Sequence, residues 1–209
     1  MTATSGKSEV LKSRLIELTR DLILIPSTRE RPEEIERCME FVVNHAESDG
    51  VDVRRFRDGG SPSAVILPIG IEHPEVMLLA HLDVVARPEG TEYRSTVHDG
   101  RVYGPGSGDM KGELAILLEI FRGFHERRPG ISLGLAVTSD EEHGGNHGTR
   151  FLFERAGLRC GVAILPDSGT IHEIAVEEKG ILHVKLSCHG SSGHASRPWL
   201  VDNPMERII

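Results

Sequence analysis

The chain has 209 residues and a net charge of −8, and its 38% hydrophobic content is enough for one sizeable core, or for one core and the start of a second. This charge argues against a nucleic-acid partner, because binding a phosphate backbone needs a clustered basic face. The three cysteines lack any C-x-x-C spacing, so they support neither a disulfide framework nor a cysteine zinc site and indicate a reducing compartment.

Neither a secretory signal nor a membrane span is predicted. The first ten residues are small and polar, and no apolar run approaches the ~20 residues of a transmembrane helix. We therefore expect a soluble cytoplasmic protein without a membrane partner.

Two amphipathic helices are predicted at the start of the chain. Apolar residues recur at steps of three and four from Leu11 to Ile25, and Pro26 ends this helix. Pro32 is typical of a first helical position, and Gly50 stops the second helix.

Strands and helices then alternate. Strands are predicted over 51–56, 63–69, 75–80, 131–139 and 160–166, and helices over 110–127 and 146–157. The alternation predicts an α/β fold, a layered sheet with helices on both faces, whose active groups lie on loops at the carboxyl ends of the strands.

The last segment predicts a strand over 180–190 and the start of a helix. Asn203, Pro204 and Glu206 match the N-cap, N1 and N3 positions of a helix that receives only six residues. Because isolated helices shorter than ~12 residues are marginal, we expect a longer natural protein, cut here inside an element.

His81 and Asp83 follow the predicted strand over 75–80. Residues i and i+2 of an extended segment point to the same side, so His81 could bind a metal while Asp83 fixes its imidazole. The same H-x-D pattern is also typical of a capped strand end with a satisfied histidine.

Asp109 lies in the glycine-rich stretch YGPGSGDMKG, just before a helix. A phosphate-binding loop is disfavoured, because Pro105 removes an amide donor, Asp109 repels phosphate and no nucleotide motif matches. Asp109 is therefore interpreted either as a metal ligand or as a helix N-cap.

Glu141 and Glu142 follow the strand over 131–139, and Asp167 follows the strand over 160–166. With His81 and Asp109, these carboxylates are expected to follow separate buried strands and to meet at one edge of the sheet. A hard or borderline dication such as zinc would neutralise their mutual repulsion.

The motifs HLDVV, YGPGSGDMKG, SDEEHGG, ILPDSG and GSSGHASRP occur in this order over most of residues 10–205. Together they resemble the M20 family of dinuclear metallohydrolases, which includes desuccinylases, deacetylases, aminoacylases and carboxypeptidases. The resemblance implies a zinc-exopeptidase-like catalytic domain over 1–174 and the beginning of an α+β lid or dimerisation domain over 175–209.

The resemblance also implies a role for each site residue. His81 and Asp167 would hold one zinc ion, Asp109 would bridge two, and Glu142 would bind the second, with cobalt or manganese as substitutes. Glu141 would be the general base. The Asp109–Met110 peptide would be cis.

Two further catalytic residues are implied. Asp83 would orient His81, and His194 would stabilise the tetrahedral intermediate from the lid, often across a homodimer. The substrate would be a small-molecule N-acyl amino acid or peptide, cleaved at its amide bond by metal-activated water.

Two departures from the family pattern stand out. Pro105 takes a position that is often arginine, and the second metal's histidine would come from a C-terminal stretch that this sequence lacks. We therefore expect impaired activity and preferential filling of the first metal site. The alternative is a non-catalytic metal-binding or interaction domain that retains the fold.

Overall fold

The protein is described by a computed structural model that covers residues 2–128, 131–167, 172–177, 180, 182, 184–194 and 196–207. The chain divides into two compact units, Met1–Gly169 and Thr170–Ile209. All the strands and α-helices described below belong to the first unit.

Four α-helices occur among the described residues of the first unit, and the two predicted at the start of the chain are confirmed. Their bounds are α1 Thr2–Ile23, α2 Pro32–Ala46, α3 Lys111–Arg127 and α4 Thr149–Glu154. Helix α2 begins with Pro32 at its first position and with Glu33 and Glu34 near the positive helix end. None of the described helices is both long and apolar enough to cross a membrane.

The main sheet comprises β1 Val51–Asp58, β2 Ser61–Pro68, β3 Val76–His81, β6 Leu133–Thr138 and β7 Val162–Ile164, and a separate hairpin comprises β4 Thr96–His98 and β5 Arg101–Tyr103. The order of the five strands in the main sheet is β1-β2-β6-β3-β7. Strand β6 pairs antiparallel with β2 and parallel with β3, and β3 pairs parallel with β7. Because β3, β6 and β7 run in the same direction, the loops that follow them leave from one edge of the sheet.

Apolar side chains cover both faces of this sheet, as an α/β fold requires. Helices α1, α2 and α3 contribute Leu22, Val42 and Leu118 to the larger cluster, which also contains Ile66 and Leu135 of the sheet. A smaller cluster on other sheet residues contains Leu152 of α4. The predicted layered sheet with helices on both faces is confirmed.

The helix predicted over 146–157 is shorter in the structure. The Asp140 carboxylate accepts the backbone N–H of His147 at 2.7 Å, and the backbone carbonyl of Asp140 accepts that of Gly145 at 2.9 Å. These bonds hold the chain in a turn until Thr149, where α4 begins.

The predictions for the last segment are only partly met. No strand occurs among the described residues of 180–190, and these residues are mostly exposed, without strand pairing to satisfy their backbone. The helix predicted from Pro204 is a single 3-10 turn, Pro204–Arg207, in which the Asn203 side-chain amide donates to Glu206 at 3.3 Å.

Candidate metal centre

Three parallel strands deliver side chains to the same edge of the sheet. His81 is the last residue of β3, Glu141 and Glu142 follow β6, and Asp167 follows β7. His81 pairs in register with Thr138, the last residue of β6, so the loops after β3 and β6 start side by side. These strand-end positions agree with the sequence analysis.

Asp109 reaches the same place from a different direction. The sequence predicted that Asp109 follows a buried strand. In the structure it lies between the exposed strand β5 and helix α3. Met110, not Asp109, occupies the N-cap position of α3, and no side chain caps that helix end. The N-cap interpretation of Asp109 is therefore wrong, and the expected cis peptide between Asp109 and Met110 is confirmed.

The imidazole of His81 lies at the centre of the group. Its Nε2 is 3.1 Å from Asp109 Oδ1, 3.5 Å from Asp167 Oδ1 and 3.8 Å from Glu141 Oε2. One potential ligand atom each from His81, Glu141 and Asp167 lies within 4.8 Å of the other two. Ligand atoms around a divalent ion at 2.0–2.2 Å from the metal have separations of this order.

His81 is oriented for binding through Nε2. Its ring is buried, and Nδ1 lies 3.0 Å from the backbone carbonyl oxygen of Asp83 and 3.4 Å from the Asp83 carboxylate. A carbonyl oxygen only accepts hydrogen bonds, so Nδ1 carries the proton and a neutral His81 offers the Nε2 lone pair to a metal.

The Asp83 carboxylate also holds the loop after β6. It accepts the backbone N–H of Glu141 at 3.3 Å and that of Glu142 at 3.1 Å. Asp83 is buried, so these bonds form away from bulk water. One carboxylate thus contacts the His81 ring on one side and the Glu141–Glu142 turn on the other.

Charge repulsion at the site is incompletely compensated. Burial raises the pKa of Asp167, and Asp109 raises it further while His81 opposes both. Burial also raises the pKa of Glu141 and Glu142. Asp167 Oδ1 is buried and has no hydrogen-bond partner among the described residues. An oxygen-rich group with an orphaned carboxylate oxygen and one imidazole fits a divalent cation.

The protonation of His81 reflects the same imbalance. Burial lowers its pKa, but hydrogen bonding and charge from Asp83, together with Asp167 and Glu141, raise the pKa to about 9. A raised pKa is the result expected for an imidazole surrounded by carboxylates.

Glu142 lies beside Asp109 rather than within the group around His81. Asp109 and Glu142 both line a cavity of about 250 Å³ that also contacts Val84 and Arg87. Asp109 thus approaches His81 through Oδ1 and lines the same cavity as Glu142.

His194 belongs to the second unit, where its hydrogen bonding fixes a tautomer. Its Nδ1 accepts the backbone N–H of Ser196 at 3.2 Å. In the neutral ring the proton is therefore on Nε2, and this N–H remains a donor.

Sequence reasoning missed two buried residues that support the site. Lys111 and Ser27 make hydrogen bonds to backbone carbonyl groups around the metal centre. Bonds to the backbone leave no residue pattern, so no sequence signal identified either side chain.

Comparison with protein families gives a match for this chain. A profile described as Peptidase family M20/M25/M40 matches residues 77–206, more than half of the sequence. The match includes every residue of the group around His81.

Curated relatives cover almost the whole chain. A succinyl-diaminopimelate desuccinylase from Methylobacillus flagellatus is 32% identical over 208 residues, which is 92% of this chain and 54% of that protein. The enzyme of the same name from Halorhodospira halophila is also 32% identical and is covered to 54% of its length. The chain spans about half the length of these relatives.

Solved structures share the fold. Human carnosine dipeptidase 1 is 18% identical with a TM-score of 0.65, over 78% of this chain and 40% of that one. An M20 family metallo-carboxypeptidase from Sulfolobus solfataricus is 16% identical with a TM-score of 0.61, over 74% of this chain and 37% of that one.

Proposed function

We propose that this chain, which belongs to peptidase family M20/M25/M40, carries the metal centre of a zinc-dependent hydrolase of amide bonds. The observation that supports this most is the group around His81. Three parallel strand ends and the loop before α3 place one imidazole and several carboxylates within ligand distance of one another.

The residues present would hold the ion or ions as follows. His81, Asp109 and Asp167 would form the first site, and Asp109 would bridge to a second site that includes Glu142. A divalent ion held there acidifies water and polarises the carbonyl of a bound amide. With both a nitrogen and several oxygen ligands, zinc is the first metal to test, and cobalt or manganese would suit the same ligands.

Glu141 would act as the general base. Its side chain is 45% exposed, and its backbone is held by the Asp83 carboxylate. Burial raises the pKa of Glu141 above that of an ordinary glutamate, which brings it nearer to the range useful for proton transfer at neutral pH. Glu141 would take a proton from water and give it to the leaving amine.

His194 would stabilise the tetrahedral intermediate, as the resemblance to the family implies. Its Nε2–H is a donor suited to the negative oxygen that develops on the attacked carbonyl. In a homodimer formed through the lid, a second copy of the chain could supply this residue.

The substrate class follows from the relatives. Two of them are succinyl-diaminopimelate desuccinylases, and one structural neighbour is a carnosine dipeptidase. An N-succinylated diamino acid is therefore the first substrate to test, and an unmodified dipeptide is the second.

A metal titration tests the centre directly. Chelator-treated protein is titrated with Zn²⁺, and bound metal is counted by elemental analysis. We expect one tightly bound ion per chain, lost in His81→Ala and retained in Glu141→Gln, because Glu141 is outside the proposed ligand set. Tight binding of two ions, or equal binding by His81→Ala, would contradict these assignments.

Hydrolysis tests the base. Any zinc-dependent release of amine should disappear in Glu141→Gln while the bound zinc remains. Unchanged hydrolysis in that variant would exclude Glu141 as the base.

A non-catalytic metal-binding or interaction domain is the second candidate. The chain spans about half the length of its curated relatives, and the group around His81 fits a bound cation whether or not an amide is cleaved there. Zinc binding that depends on His81, with no hydrolysis of either substrate, would support this function instead.

A further inference from the structure

We infer that Lys111 is a positioning residue, which fixes Asp109 relative to His81 through the backbone segment that follows α1. The inference rests on the proposed metal centre and adds to it a residue that touches neither metal nor substrate. It is carried by the hydrogen bonds of two buried side chains, Lys111 and Ser27.

Lys111 is fully buried and bonds to the end of helix α1. Its Nζ donates to the carbonyl oxygen of Leu22 at 2.9 Å and to that of Ile25 at 2.6 Å. The last carbonyl groups of a helix lack partners within the helix, and a cation is favourable there. The hydrogen-bond partners of this ammonium group among the described residues are two backbone carbonyl oxygens, which is unusual for a buried lysine.

The two residues after Asp109 anchor it in two directions. Met110 is fully buried, and its sulfur accepts the backbone N–H of His81 at 3.3 Å, which ties the loop to β3. The Lys111 side chain bonds the same loop to α1 through the carbonyl oxygen of Leu22. The backbone N–H of Lys111 donates to the carbonyl oxygen of Gly106 at 2.8 Å, within the loop. Asp109 itself is exposed at its side chain, so its position depends on these neighbours.

The segment that receives the lysine also supports the loop after β3. Ser27 Oγ donates to the carbonyl oxygen of Leu82 at 2.6 Å, and the N–H of Val84 donates to the carbonyl oxygen of Ser27 at 3.0 Å. Leu82 and Val84 flank Asp83, the residue that contacts the His81 ring. Residues 22–27 are thus a common anchor for both loops of the metal centre.

A positioning role and a purely stabilising role for Lys111 predict different effects when the residue is replaced. Replacing Lys111 removes the donor of two buried hydrogen bonds, so some loss of stability is expected even if the lysine has only a stabilising role. A lysine that sets the separation between Asp109 and His81 should instead affect metal binding more than its effect on folding predicts.

The test compares Lys111→Met with Leu67→Ala by Co²⁺ titration. Methionine keeps the buried stem and removes the donors. Leu67 is fully buried near Gly134, at the opposite end of β6 from the metal centre, so its truncation lowers stability without touching the anchor. Affinity comes from a chelator competition, and site geometry comes from the visible absorption bands of bound cobalt.

We expect Lys111→Met to weaken Co²⁺ binding at least tenfold and to shift the absorption bands. Leu67→Ala should lower the melting temperature, keep the Co²⁺ affinity within twofold of the wild type and leave the absorption bands unchanged. Ser27→Ala, a milder change in the same anchor, should weaken binding in the same direction and serves if Lys111→Met does not fold.

The outcomes separate this inference from the proposed function. If the wild type binds Co²⁺ and neither Lys111→Met nor Ser27→Ala alters affinity or spectrum, the positioning role is wrong. It is also wrong if Leu67→Ala weakens binding as much at an equal loss of melting temperature. If the wild type binds no Co²⁺ at the His81 group, the metal centre fails, and this inference fails with it.

Discussion

Asp83 connects the imidazole of the metal centre to the turn that carries the proposed base. Its carboxylate lies 3.4 Å from His81 Nδ1 and accepts the backbone N–H groups of Glu141 and Glu142. The sequence predicted the contact with His81 from the i, i+2 spacing of a strand. The contact with the turn depends on the parallel pairing of β3 with β6, which residue spacing does not reveal.

Removing the charge of Asp83 should weaken metal binding. Asp83→Asn keeps an acceptor for the two N–H groups but no longer stabilises a basic His81. We expect an approximately 10- to 100-fold loss of Zn²⁺ affinity in a chelator competition, the range typical when a residue supporting a metal ligand is lost. Asp99→Asn, at an exposed turn, is the control. Equal affinities in the two variants would show that Asp83 does not tune the ligand.

His45 makes stability depend on pH away from the metal centre. Burial lowers the pKa of His45, although Glu119 at 3.2 Å opposes this shift. Above pH about 6.5, the ordinary histidine value, both folded and unfolded chains hold His45 neutral. As the pH falls below it, the unfolded chain takes up the proton first, so this contribution to stability is lost.

Urea unfolding at pH 7.5 and 5.5 measures this contribution. We expect the free energy of unfolding to fall less between these pH values in His45→Gln than in the wild type. An equal or larger fall in the variant would mean that the pKa of His45 is not lowered by folding.

At the scale of elements, alternation and periodicity predicted most of the fold. The five strands of the main sheet and helices α1, α2 and α3 lie where the apolar patterns placed them. The β4–β5 hairpin was missed, although Asp99 and Gly100 both have positive φ and form the type of turn that an Asp-Gly pair favours. The early part of the helix predicted over 146–157 was wrong because Asp140 binds the backbone there.

The turn before α4 requires glycine at position 148. An added Cβ would overlap Asp140 Oδ1 and lie 2.7 Å from Thr138 Cβ. Gly148→Ala should therefore lower the free energy of unfolding by about 1–3 kcal/mol in urea titrations. Gly6→Ala is the matched control, because that position lies in α1 with no atom near the new Cβ, and a slight stabilisation is expected. Similar losses in both variants would contradict the steric explanation.

In the first unit, one edge strand of the main sheet, β7, exposes apolar side chains. Among the described residues, strand β7 pairs with β3 alone, and the exposed apolar side chains at this edge are those of Val162, Ile164 and Leu165. Open edges with apolar side chains promote association between chains. The sequence alone does not reveal that β7 lies at this edge, since edge positions depend on strand order.

Ile164→Lys should reduce self-association of this chain. Sedimentation velocity over a concentration series is expected to show fewer large species than in the wild type, because a charged side chain blocks edge pairing. Leu24→Lys changes an exposed leucine in the turn just after α1 and should leave the distribution unchanged. If the two variants behave alike, β7 is not the contact surface.

The hydrogen bonds from the Glu141–Glu142 turn to Asp83 should affect how metal ions are exchanged. Both backbone bonds are made to the Asp83 carboxylate and not through a cation, so we expect the turn to keep its conformation when a bound ion is removed. Chelation and reloading should then be reversible without refolding, and deuterium uptake at these two amides should stay slow in the stripped protein. Metal exchange would then require no change in the backbone conformation of this turn.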